Sequence, residues 1–411
     1  MKEVKRLSDF PSRDILMSQN SKADTFREMN VNGHVHTPYS FSAFSGMDQI
    51  FETAVKENIK ILGINDFYVT DGYEEFVEAA AKNGVFPLLN IESIALSKDL
   101  QSKDIRVNDP NNPGRIYLSG KGLDFPAVFT DEAKEMLENV KAESQRQVVE
   151  MIAKLNAWLK ESGIDIVFDY EAIRRRYARQ LVRERHIAQA LRVAVFEQFG
   201  DDARRKEILE KIYGKPTGVD IRNEAALENE LRNNLLKAGK KAFVQEDERA
   251  FLSVKQMKEI FLNGGGIPCY PVLLDDPSGS VTEFERDREA LYQNLLSMGI
   301  YSIELIPGRN KLEILEPFVR FFHEKDFVIT FGTEHNAPGL IPLTVGCRGG
   351  VPLTDYLKKV NYEGACVIAA HQYLRARGEA GYVDAAGKAN TSQRTDFALL
   401  GDAVITKWLG M

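Results

Sequence analysis

Short apolar runs alternate with stretches of helical spacing along this chain, first over residues 31–92 and again over 253–331. Such alternation marks a parallel sheet or barrel whose crossovers are helices. The first series reads as strand 31–35, helix 47–58, strand 61–64, helix 72–82 and strand 86–91. The second reads as helix 253–263, stopped by Gly264, Gly265 and Gly266, then strand 267–273, helix 283–297, strand 302–306, helix 312–324 and strand 327–331. In parallel barrels the working residues collect at the C-terminal ends of the strands. His34, His36, Asp66 and Glu92 fall at such ends, and Glu334 and His335 follow the last strand.

Between the two series, residues 127–245 are rich in Ala, Leu, Glu, Lys and Arg, with helical spacing at 132–162, 171–198 and 225–238. This reads as a helical insertion with an irregular stretch at 213–221. Residues 1–29 read as a polar N-terminal arm. Residues 341–411 read as a C-terminal extension packed on the barrel, with helices at 354–360, 365–376 and 394–409 and a polar loop at 378–393. There is no internal repeat and no low-complexity tract.

Composition narrows the function classes. The net charge is −7, which argues against a general nucleic-acid-binding surface, though a local pocket can still be positive. Cys269, Cys347 and Cys366 have no C-x-x-C spacing, so reduced thiols are expected. The polar start has no signal-peptide pattern, and no apolar run reaches the roughly 20 residues of a membrane span. A cytoplasmic protein with no membrane partner is the expectation. The glycine clusters at 264–266 and 349–350 lack the context of a dinucleotide or phosphate-binding loop.

The chain has six histidines, and two of them form His34-Val35-His36 after an apolar strand. Alternate strand positions face one side, so both imidazoles can grip a single cation. Glu92 joins them as a candidate ligand, with Glu334 favoured over its neighbour His335. The pKa of an imidazole lies near working pH, so His335 is a candidate general acid or base. Asp66, the other candidate for a catalytic role, is either an acceptor for an imidazole N–H or a helix N-cap.

In order along the chain, these motifs resemble the PHP (polymerase and histidinol phosphatase) family of metal-dependent phosphoesterases. The residues that carry the resemblance are His34-Val35-His36-Thr37, Asn65-Asp66-Phe67, Asn90-Ile91-Glu92, Tyr117-Leu118-Ser119-Gly120-Lys121-Gly122, Gly265–Pro271, residues 299–304 and Gly332-Thr333-Glu334-His335-Asn336. It covers about residues 30–340. It implies a distorted (β/α)7 TIM-like barrel of α/β class, interrupted by the insertion. Arg183-Glu184-Arg185-His186-Ile187-Ala188 and Lys241–Gln245 are similar to motifs of the branch that cleaves nucleotides and RNA ends.

The departures bear on chemistry. Against the family pattern, Phe41, Phe67, Tyr117 and Tyr270 stand where metal ligands are expected. What survives is His34, His36, Glu92 and Glu334. Two imidazoles with carboxylates suit Zn, Mn or Fe, and one divalent ion rather than three is expected. Tyr117 and Tyr270 would orient substrate. Lys121, on a loop at the mouth, and His186, in a basic helix, could contact an anionic group. Plain alternatives stand beside these: a surface lysine, a solvated basic face, a structural acid at Glu304, a buried structural histidine at His371 and a surface His323. The resemblance implies a metal-dependent phosphoesterase acting on a small, anionic, phosphorylated or nucleotide-like molecule. A mononuclear sugar isomerase or lyase, or a non-catalytic binding protein, stays open, as does the oligomeric state.

Overall fold

A computed structural model of the chain describes residues 5–20, 29–275 and 279–411. The part of the N-terminal arm at 21–28 lies outside the described residues. Helix α1 (Arg13–Asn20) precedes the barrel, and β1 (Asn30–Val35), α2 (Met47–Lys56), β2 (Ile59–Phe67), α3 (Tyr73–Asn83) and β3 (Phe86–Leu96) follow as alternating elements. α2 buries Met47, Ile50, Phe51 and Ala54, a three-and-four spacing that forms one apolar stripe. β3 is buried at every position, as expected for a strand covered on both faces.

Short α4 (Lys98–Ser102) leads to β4 (Arg115–Lys121). The Ser97 N–H donates to Gly114 O at 2.8 Å, so the chain returns to where it left the sheet, and β4 runs antiparallel to β3. The chain then leaves the barrel for α5 (Asp131–Glu161), α6 (Tyr170–Tyr177), α7 (Glu184–Gln198), α8 (Asp202–Tyr213) and α9 (Glu224–Leu231). It returns through α10 (Val254–Asn263), β5 (Ile267–Val272), α11 (Arg288–Ser297), β6 (Ser302–Leu305), α12 (Leu312–His323) and β7 (Val328–Phe331). α13 (Asp355–Ala376) and α14 (Arg394–Leu409) complete the chain.

The seven strands form one sheet in sequence order. β1, β2 and β3 are parallel, β4 is antiparallel to both neighbours, and β5, β6 and β7 are parallel. The ends meet: Val35 pairs with Glu334, the His36 N–H donates to Glu334 O at 2.8 Å, and the Glu334 N–H donates to His34 O at 2.9 Å. The sheet is thus drawn into a barrel of α/β class, as the resemblance implied.

Several helices differ from expectation. The stretch 171–198 is two helices, because residues 178–183 are non-helical before Arg183 caps α7. α8, capped by the Asp201 side chain, was not anticipated. α11 begins at Arg288 rather than 283, where the Asp287 carboxylate caps it. The two C-terminal helices expected at 354–360 and 365–376 are one continuous α13. It lies against β7 because Gly364 has no side chain; a Cβ there would sit 1.9 Å from Ile329 O.

Two hydrophobic clusters result. One joins the barrel to α13 and α14, and the other runs from Val148 to Val244 through α6–α9. α5 feeds both: Ala133, Leu137 and Val140 enter the first, and Val148, Met151, Leu155 and Leu159 enter the second. Among the described residues, no helix is long and apolar enough to cross a membrane.

Candidate metal centre

His34 near the end of β1 and His36 just past it face one way, as the alternation of an extended chain requires. Their Nε2 atoms lie 3.4 Å apart, and His36 Nε2 lies 3.2 Å from Glu92 Oε2. Glu92 is carried in by β3, and Glu334 comes from the turn after β7. Glu334 and His335 have φ of 71° and 58°, so the backbone bends left-handedly at both. Gly332 lets that turn approach β1, since a Cβ there would meet His34 Cβ at 2.3 Å. One donor atom from each of His34, His36, Glu92 and Glu334 lies within 4.8 Å of the others.

Behind the donors lie the groups that set their orientation. His34 Nδ1 faces Glu304 Oε2 at 2.9 Å, and Glu304 also accepts from Ser119 Oγ at 2.5 Å and Lys121 Nζ at 2.6 Å. His36 Nδ1 faces Ser40 Oγ at 3.2 Å, and Ser40 donates to Asp66 at 2.7 Å. Asp66 also accepts from Thr37 N at 2.8 Å and Thr37 Oγ1 at 2.5 Å. A hydroxyl whose proton goes to Asp66 must accept from His36. Both Nδ1 atoms therefore carry protons, and both Nε2 lone pairs face the cluster, that of His34 also within 3.1 Å of the Asn65 amide nitrogen. Bonds of 2.0–2.2 Å to one ion would separate tetrahedral ligands by about 3.4 Å. The His34–His36 and His36–Glu92 spacings match, so the donors fit a divalent ion.

Electrostatics agree with that fit. Burial lowers the pKa of His34, keeping it neutral against the pull of Glu304. Burial works against ionising Glu92, yet His36 and His34 hold its carboxyl below the usual range. Glu304 is likewise held well below the usual range against its burial, by Lys121 and then His34. Burial raises the pKa of Asp66 despite His36, Thr37 and Ser40.

The cluster opens on a cavity of about 720 Å³. Phe41, Phe67 and Tyr117 line it, and Phe41 stacks on His36 with ring centroids 5.1 Å apart. Arg183, Arg185, Arg232 and Lys237 from the helical segment also line it. Arg183 lies over Phe67 at 4.1 Å, and its buried Nε and Nη2 have no hydrogen-bond partner among the described residues. Arg309, on the turn after β6, bonds Glu334.

Other expected site residues lie elsewhere. Tyr270 is fully buried and donates to Glu285 at 2.7 Å; Pro271 is the neighbouring residue that faces the cavity. Lys121 is on β4 rather than a loop, is fully buried and touches Glu304. His186 accepts from the Arg183 N–H at 3.0 Å and caps α7, while the flanking arginines face the cavity. His335 has both nitrogens engaged, Nδ1 with Thr333 Oγ1 and Nε2 with Ile341 O, each at 2.8 Å. It has no nitrogen left to move protons at the cluster. Asp66 does not cap a helix and reaches His36 only through Ser40. His323 is half-buried and paired with Glu363 at 2.9 Å, rather than on the surface.

Sequence reasoning gave no role to Ser40 or Arg309, and read Glu304 as a plain acid. Arg183 carried a signal in its motif with His186, as one of several basic residues that could meet an anion, and Glu304 in its place at a strand end.

Residues 32–219 match the PHP domain family. No curated protein matches the chain. Two solved structures are similar. One is a protein from Bifidobacterium adolescentis assigned as a metal-dependent phosphoesterase, with TM-score 0.51 and 17% identity over 82% of this chain and 96% of that one. The other is an amidohydrolase from Chromobacterium violaceum with bound sulfate and no metal, with TM-score 0.51 and 16% identity over 81% of this chain and 96% of that one. At such identities the likeness is one of fold. The likeness to the PHP domain family is carried by residues 32–219.

Proposed function

We propose that this chain is a metal-dependent hydrolase, and more finely a phosphoesterase acting on a small phosphorylated or nucleotide-like molecule. The carrying observation is the apposition across one cavity of a four-donor cluster and an arginine with free Nε and Nη2. His34, His36, Glu92 and Glu334 would hold one divalent ion of the Zn, Mn or Fe type. Such an ion supplies a bound water of lowered pKa and polarises an anionic oxygen.

The chain's own groups do the rest. Glu304 and Ser40 fix the imidazoles so that their Nε2 atoms stay lone-pair donors. Arg183, buried against Phe67, offers charged N–H groups to a phosphate oxygen, and burial strengthens such bonds. Burial, and then Asp109, raise the Tyr117 pKa, so its hydroxyl keeps the proton needed to orient an anion. Phe67 and Tyr117 present ring faces on which a base or sugar can stack.

The test is phosphate release from a panel of phosphomonoesters and nucleotides by protein loaded with Mn²⁺ or Zn²⁺. Turnover should stop on chelation and return with the ion. Arg183→Ala should raise KM about tenfold to a hundredfold, the loss of charge-assisted hydrogen bonds worth roughly 1.5–3 kcal/mol. A carbonyl change without phosphate release would replace this reading with an isomerase or lyase. Ligand binding with no ion and no turnover would replace it with a binding protein.

A further inference from the structure

Lys121 points into the barrel with no exposure at all, an unusual place for an ammonium. A buried lysine is stable there only when its charge is matched. The match is Glu304 Oε2 at 2.6 Å, and the same oxygen lies 2.9 Å from His34 Nδ1. Ser119 Oγ takes the other carboxylate oxygen at 2.5 Å. Glu304 also lines the cavity beside His34, so it is a carboxylate within reach of any ion that enters.

Without Lys121, Glu304 would be a buried anion behind the donor cluster, open on the cavity side and lacking a countercharge. That is the condition under which a protein recruits a cation. Lys121 removes it: the ammonium neutralises Glu304, and its N–H, the Ser119 O–H and the His34 N–H occupy the carboxylate. The countercharge is covalently attached and cannot wash out. Phe41, Phe67 and Tyr117 line the same cavity and offer no carboxylate or imidazole to replace Glu304 as a ligand.

We infer that Lys121 is a built-in cation which stands in for a second divalent ion and restricts the site to one. It is a positioning residue, acting on Glu304 and through it on His34. The inference rests on the metal-site reading above. Glu304 is thereby left to a single task, holding the His34 ring.

The experiment counts ions. Metal-stripped full-length protein is titrated with Mn²⁺ or Zn²⁺ alone at pH 8, and bound ion is measured by calorimetry and by elemental analysis after gel filtration. Wild type should take one equivalent. Lys121→Ser, which opens space and frees Glu304, should take two. Lys121→Gln, which fills most of the volume without the charge, should also gain a second ion. Lys121→Arg, which keeps the charge, should stay at one. Lys121→Met with Glu304→Gln removes both charges and should return to one, with His34-dependent affinity weakened about tenfold or more.

Two or more equivalents on wild type would overturn the inference without any variant and leave the metal-site reading intact. A single equivalent on both Lys121→Ser and Lys121→Gln would also overturn it. No ion on wild type would defeat the metal-site reading itself. If the serine variant folds only with Mn²⁺ present, the count on that folded protein decides in the same way.

Discussion

Ser40 has no metal chemistry of its own, yet it decides which nitrogen of His36 is available. Its proton goes to Asp66, and its oxygen takes the Nδ1–H of His36. Ser40→Ala should therefore weaken divalent-ion affinity by about tenfold, since losing an outer partner of a ligating histidine typically costs tenfold or more. Competition with a chelating dye measures the change, and unchanged affinity would remove Ser40 from the site. The histidine pair was legible in the sequence because two-residue alternation depends only on local backbone geometry. Glu92 was legible because a strand end at the barrel mouth has one direction to face. Tyr270 was not. Its place on β5 depends on register against β4 and β6, and the register turns its hydroxyl toward Glu285. His335 was misread because residue type says nothing of its partners, and Thr333 and Ile341 claim both nitrogens.

At the scale of elements, α13 fastens the C-terminal loop to the barrel through one imidazole. His371 donates from Nε2 to Gly265 O at 2.5 Å and accepts the Tyr382 N–H on Nδ1 at 2.9 Å. Both bonds together require the neutral ring. Burial first, against the pull of Gly265 O, pushes its pKa down to about 4 from 6.5. The unfolded chain therefore binds the extra proton between those values. Stability from this residue is complete above pH 6.5 and declines as pH falls, with the loss complete below about pH 4. The size is about 3 kcal/mol. His371→Gln has an amide that can donate and accept but cannot titrate. Denaturant melts from pH 7 to pH 4 should show the variant losing about that much less than wild type; parallel curves would refute the assignment. Elements with a continuous apolar pattern were legible, down to the bounds of α14. The break between α6 and α7 was not, because residues 178–183 have a helix-like composition. Their contacts are tertiary: Arg179 pairs with Glu75 at 2.5 Å, Gln180 with Asp71 at 3.1 Å, and Arg183 stacks on Phe67. Those contacts hold the segment out of helix and against the barrel.

On the scale of the whole molecule, the donor cluster ties β1, β3 and the turn after β7, which are distant in sequence and adjacent only once the barrel has closed. An ion that binds only the closed form must stabilise it. At a free Mn²⁺ or Zn²⁺ concentration a hundredfold above Kd, the gain is about 2.7 kcal/mol. Calorimetry should show the melting midpoint rising by roughly 3 °C for a chain of this size. His34→Ala with His36→Ala should abolish the rise, and a rise that persists in that variant would place the ion elsewhere. The interruption of the barrel by a helical stretch was visible in composition. The cavity between the two was not, since it exists only through how the two clusters face each other.

α5 gives that cavity its dimensions. Its 31 residues form one unbroken helix of roughly 46 Å, rooted at one end among barrel side chains and at the other among those of the helical cluster. A rod clamped at both ends behaves as a fixed spacer and not as a hinge. On the function proposed above, the gap between the donor cluster and the arginines would then act as a gauge, and a guest too short to touch both walls would give up half of its holding points.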